Sequence, residues 1–116
     1  EVLCRATDLP VIITDRDHVI SVSGISKKEY LERRISSELE TLMESRTNYT
    51  ASADEEPIYP ISGMSREAAV AYPIIGSGDV SGCVVLLLNS DGSLPSETER
   101  KLVAVAASFL GKQMEE

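Results

Sequence analysis

The run Val84-Val85-Leu86-Leu87-Leu88 offers water neither of its two sides. Successive side chains of an extended chain point to opposite faces, so a strand apolar at every position belongs at the centre of a sheet, covered on both sides. Any fold for this sequence must therefore supply two covering layers. A second long strand pattern, Glu67 to Ile75, precedes the strand Ser81 to Asn89, and Gly76-Ser77-Gly78-Asp79 joins the two as a hairpin. This glycine-rich loop leads into a strand and not into a helix, which removes a phosphate-cradling reading.

The first third supplies a second hairpin. Val11 to Thr14 and Val19 to Ser23 read as strands, the latter alternating apolar and small polar residues, and Asp15 to His18 connect them in antiparallel fashion. Ser26-Lys27-Lys28-Glu29 has the form of a capping box, which predicts a helix through about Arg33. Ile35, Leu39, Leu42 and Met43 recur at helical spacing, so residues 36–45 read as a second helix with one buried stripe. Thr47 to Ser52 has strand composition, and Ile58 to Ile61 reads as a short edge strand because Pro60 removes a ladder donor. Residues 1–8 read as the tail of a helix that begins upstream.

A further capping box, Ser96-Glu97-Thr98-Glu99, opens the last helix. This helix carries two apolar stripes: Leu102, Val105, Ala106 and Phe109 form one, Val103, Ala107, Leu110 and Met114 the other. A surface helix needs only one. The second predicts another helix against it, from the start of this chain, from a second subunit, or from both, and small Ala106 and Ala107 allow close approach.

Composition removes several functions. With 116 residues the chain fits one domain, 1–116, long enough to bury a core without staples. Its net charge is −8, and its basic pairs Lys27-Lys28 and Arg33-Arg34 are offset by Glu29 and Glu32. Phosphate-backbone binding needs clustered uncompensated cations, so this chain by itself is not expected to bind DNA or RNA. Cys4 and Cys83 make no disulfide framework, which suits a reducing, cytoplasmic setting. The run Cys83 to Leu88 is far short of a membrane span, and no basic leader opens the chain. Starting at Glu1, the sequence reads as a domain taken from a longer protein.

Chemistry-bearing residues are sparse. The one histidine, His18, sits in the hairpin turn with Asp15 and Asp17; no Cys or second His completes a metal set, and turn formation accounts for these residues better. No serine lies in a nucleophile elbow. Tyr30, Tyr49, Tyr59 and Tyr72 stand out in a chain with one Phe and no Trp. Such tyrosines either orient a ligand through their hydroxyls or serve as ordinary core and rim aromatics.

Three segments together carry a resemblance: VIITDRDHVISVSGISKKEYLERRIS at 11–36, GSGDVSGCVVLL at 76–87, and AASFLGKQMEE at 106–116. With them the chain resembles the C-terminal GAF domains of the stage V sporulation protein T family of transcription regulators, over nearly its whole length, with 47–68 departing most. The resemblance implies an α+β, GAF-like antiparallel sheet of the PAS/GAF superfold, helices on both faces, and terminal helices packed together. It further implies a DNA-binding domain outside this chain, homo-oligomer formation through the terminal helices, and a small-molecule effector that it does not identify.

On this reading the ligand-binding candidates are Ser21, Ser23, Tyr30, Tyr49 and Tyr72, and the dimer interface is Val103, Ala107, Leu110 and Met114. No cofactor, metal, membrane or catalytic role is expected. Two alternatives keep the fold: a pure dimerisation module whose pocket is filled by its own side chains, and a GAF-type methionine sulfoxide reductase. The latter would need a set of pocket cysteines that Cys4 and Cys83 do not supply.

Overall fold

The computed structural model describes residues 10–25, 27–52, 56–88 and 94–115. Five strands, β1 (Val11–Thr14), β2 (Val19–Ser23), β3 (Tyr49–Thr50), β4 (Ala68–Gly76) and β5 (Asp79–Leu87), form one antiparallel sheet. Their spatial order is β2-β1-β5-β4-β3, which places the all-apolar strand at the centre. Helices α1 (Lys27–Tyr30) and α2 (Ser37–Ser45) lie on one side and α3 (Glu97–Glu115) on the other. The helical tail expected at 1–8 and the capping residue Ser26 lie outside the described residues.

Register sorts side chains between two cores. One row crosses the sheet as Val22, Ile12, Val85, Ala71 and Tyr49, all facing α2. The adjacent row runs Ser23, Val11, Leu86, Val70 and Thr50 on the α3 side. Along β5, Cys83, Val85 and Leu87 enter the first core while Val84 and Leu86 enter the second, each at most 2% exposed. Strands β4 and β5 meet through the two-residue turn Ser77-Gly78, tighter than the expected four-residue loop. Both turn residues have positive φ, 54° and 84°, as the right-handed twist of a hairpin favours.

The helix expected through Arg33 ends at Tyr30. Glu32 takes a left-handed φ of 66°, and the chain turns back along the open edge of β2. Glu32 N–H donates to the Val19 carbonyl, Val19 N–H to the Arg33 carbonyl, and Ile35 N–H to the Asp17 carbonyl, each at 2.9 Å. These bonds replace further helical turns and cover part of an edge that would otherwise invite another strand. Ile58 to Ile61 is likewise not a strand. Ile61 makes one bridge to Ile35, and the Pro60 carbonyl accepts from Ser36 N–H. Helix α2 then starts at an N-cap, with the Ser36 hydroxyl accepting from Leu39 N–H at 3.2 Å.

The capping box of α3 is complete: Glu99 N–H donates to Ser96 Oγ at 3.1 Å and Ser96 N–H to Glu99 Oε1 at 2.8 Å. Its seat on the sheet reverses one expectation. Val103 and Ala107, assigned above to a dimer interface, are 0% and 5% exposed in the α3-side core, and Leu110 packs against it. Gly111 continues that row, and a Cβ there would overlap the Ile75 carbonyl oxygen. The row Val103-Ala107-Gly111 therefore narrows toward a backbone-to-backbone contact with β4, which only the smallest side chains permit. The side chain of Met114, the fourth residue of the expected interface, lies outside those described.

Replacing an interior helical glycine by alanine ordinarily stabilises by about 1 kcal/mol. At Gly111 the sign should reverse. Gly111→Ala is expected to lose about 1–3 kcal/mol through overpacking, read as a lower urea midpoint with unchanged slope.

Candidate functional site

The five residues expected to line one pocket are divided by the sheet. Ser21 and Ser23 share the α3 side with Tyr72, because Ile13 pairs with Ser21 and with Val84, and Val84 pairs with Tyr72. Tyr30 and Tyr49 are buried on the opposite side in the α2 core. A layer of strands separates the two groups, so no single ligand can meet all five. Period-two alternation decides the face, and it sets Tyr72 and Tyr49 on opposite sides of the sheet.

The α2 side is packed by its own side chains. Ile12, Leu39, Ile61 and Leu87 are at most 1% exposed there, and Tyr30 and Tyr49 belong to the same cluster. The Tyr30 hydroxyl accepts from Arg66 Nη1 at 3.3 Å, while Arg66 Nε donates to the Leu88 carbonyl at 3.1 Å. Arg66 thus ties α1 to the end of β5, and the polar end of Tyr30 has a structural use. Thr14 is 1% exposed on the same side, and its hydroxyl has no hydrogen-bond partner among the described residues.

Open space lies instead in surface clefts of similar volume, and the one at the turn end of the sheet is the most highly charged. A cleft of about 470 Å³ is walled by Arg16 and Asp17 of the β1–β2 turn, by Glu40, Glu44 and Arg46 of α2 and its C-cap, and by Asp79 at the start of β5. Met43 and Val80 complete the lining. This volume falls within the range of small-ligand sites, about 300–1,000 Å³.

Of these charged residues the sequence analysis singles out Asp17 alone, as a turn residue. Two signals were available. Glu40 and Glu44 are like charges four apart on one helix, and the last turn of α2 carries no base of its own, which leaves Arg46 at the C-cap as the cation at that end.

The Asp15-Arg16-Asp17-His18 turn is shaped by its first carboxylate. Asp15 Oδ1 accepts from the N–H groups of Asp17 and His18, both at 2.7 Å. The bond from His18 N–H, then that from Asp17 N–H, hold the carboxyl below its ordinary 3.8. Among the described residues no group of three or more His, Cys, Asp or Glu side chains is arranged to hold a metal ion. Cys83 is fully buried in the sheet centre, and burial pushes its thiol up to about 12, which keeps it from acting as a thiolate nucleophile. Among the described residues no helix is long and apolar enough to cross a membrane.

Comparison with known proteins agrees with this architecture. The family described as stage V sporulation protein T C-terminal, transcription factor, matches residues 1–115. Stage V sporulation protein T of Bacillus subtilis (strain 168) is 39% identical over 108 residues, covering 91% of this chain; the chain spans 59% of that relative's length. Two solved structures share the fold. The GAF domain of an Acinetobacter phosphoenolpyruvate-protein phosphotransferase superposes with a TM-score of 0.65 at 15% identity, over 94% of this chain and 73% of that one. A GAF domain/HD domain protein from Geobacter sulfurreducens gives 0.62 at 16% identity, over 98% and 87%. The α+β fold is therefore GAF-like.

Two outcomes follow from the site's electrostatics. Because the folded pKa of Asp15 is depressed, its contribution to stability is present above the unfolded value, 3.8, and is lost as pH falls through the folded value. The gap in urea midpoint between wild type and Asp15→Ala should be open at neutral pH and narrow below pH 3.8. In a Cys4→Ser background, Cys83 should resist a disulfide-exchange reagent in the native state at pH 8 and react promptly in urea. Fast native-state reaction would contradict its placement.

Proposed function

The chain belongs to the stage V sporulation protein T C-terminal family, and from that premise we propose that it is the regulatory and subunit-pairing domain of a sporulation transcription factor. In this reading the part of the protein outside the chain contacts DNA, and this domain sets the spacing and orientation of two such parts. The net charge of −8 agrees with that division of labour, since a DNA-contacting surface needs clustered cations.

The observation that carries the pairing role is the outward side of α3. Val105 is 66% and Phe109 61% exposed, one helical turn apart, with Leu102 half-buried beside them. A solvated helix face has no use for an exposed phenyl and valine in register, and contiguous apolar patches of this kind mark association surfaces. The opposite side of α3 is already seated on the sheet through Val103 and Ala107. A second copy offers the same patch, so a two-fold arrangement would bury each side chain twice, at about 1.5–3 kcal/mol per large apolar side chain.

A regulator also needs a signal. A ligand shifts an equilibrium between two subunit arrangements only if it binds one of them better. With the α2 side packed by its own side chains, the turn-end cleft is the better place to look for an effector than the five residues first considered.

The pairing role is tested by sedimentation of wild type and Phe109→Glu. Wild type is expected to sediment as a dimer and the variant as a folded monomer, with the lower melting temperature that loss of association brings. A monomeric wild type, or a variant of unchanged mass, would sink the reading.

A further inference from the structure

The walls of the turn-end cleft carry both signs of charge, and among the described residues none of that charge is engaged in an ion pair. Among the described residues the one ion pair within 4 Å is Lys101–Glu97 on α3. Neither Arg16 nor Arg46 pairs with Asp17, Glu40, Glu44 or Asp79, although all six border the same cleft. The four carboxylates outnumber the two guanidiniums, one of which, Arg46, sits at the negative end of α2. The carboxylates do not converge on a metal-sized point. Complementary charge is therefore wanted over an extended span.

The apolar residues place the rest. Met43 and Val80 line the same cleft, Met43 buried and Val80 half-buried.

We propose that this cleft binds a small organic zwitterion of net positive charge, of the basic amino acid class. Its ammonium meets Glu40 and Glu44, its methylene stem lies on Met43 and Val80, and its carboxylate meets the guanidiniums of Arg46 and Arg16. Charge-assisted bonds at both ends fix its length, and the apolar stem excludes ligands without one. The site spans the β1–β2 turn, the end of α2 and the start of β5, so occupancy ties three separate elements together. The inference rests on the regulatory reading only in supplying that domain's effector.

Calorimetric titration of the whole chain with L-lysine, L-norleucine and cadaverine tests it. Norleucine keeps the stem and carboxylate without the side-chain ammonium; cadaverine keeps the stem and ammonium without the carboxylate. L-lysine is expected to bind saturably, with both others at least about tenfold weaker, the value of one lost charge-assisted bond. Glu44→Gln and Arg46→Gln, both exposed positions, should each weaken L-lysine about tenfold while leaving the ligand-free melt unchanged. Lys101→Gln, on the far helix, should leave binding as it is.

No saturable heat with L-lysine, equal binding of all three compounds, or binding unchanged in both cleft variants would overturn the proposal. Subunit pairing is read separately by sedimentation. A negative titration beside a monomeric Phe109→Glu therefore removes the zwitterion and leaves the pairing role standing.

Discussion

Strand β5 is the member on which the other parts depend. Its side chains from Cys83 to Leu87 are withdrawn from water on both sides, alternating between two cores. A central strand of this kind cannot be stable with one layer missing, because each uncovered face would expose Val84 and Leu86, or Val85 and Leu87, to solvent. The strand itself thus demands both α2 and α3. The close approach of β1 follows from the same centre: Gly82 lies against Thr14, and a Cβ there would overlap the Thr14 carbonyl oxygen.

The two covering layers are built differently. On the α2 side, Leu39, Leu42 and Met43 reach down with large side chains toward Ile12, Val85 and Leu87, so helix and sheet are held apart by a thick apolar layer. On the α3 side the row Val103-Ala107-Gly111 tapers, and the helix comes down onto the backbone of β4. That seating turns the Val105 and Phe109 side outward. A thick layer suits a domain that must hold shape, whereas a helix clamped along one edge presents its other edge as a rigid platform.

Much of the fold was legible because alternation and capping are local. Strands β1 and β2 were placed to the residue, β5 was placed at the centre by its two-sided apolarity, and α3 was placed by its capping box. What was missed was decided by partners distant in sequence. Helix α1 stops at Tyr30 because β2 claims the next backbone groups, a competition that no window around Glu32 contains. Hydrophobicity alone does not say which stripe of α3 meets the sheet; the taper to Gly111 does, and it was the signal to use. The charged cleft was illegible for a similar reason, since Arg16, Glu44 and Asp79 become neighbours only when the two turns and the end of α2 meet.

The pairing of Val11 with Leu86 has a consequence for how the polypeptide comes into being. As the chain emerges from its N-terminus, the first hairpin and the residue 25–46 helices are complete while the strand they need is still unmade. The inner edge of β1 and the undersides of Leu39 and Met43 stay uncovered until residues 79–87 appear. Closing so long a loop is entropically slow, and nothing earlier in the chain substitutes for it. Folding is therefore a late, concerted event, in which a nascent or truncated domain has no half-built native state to rest in and stays open to chaperones until its final third arrives.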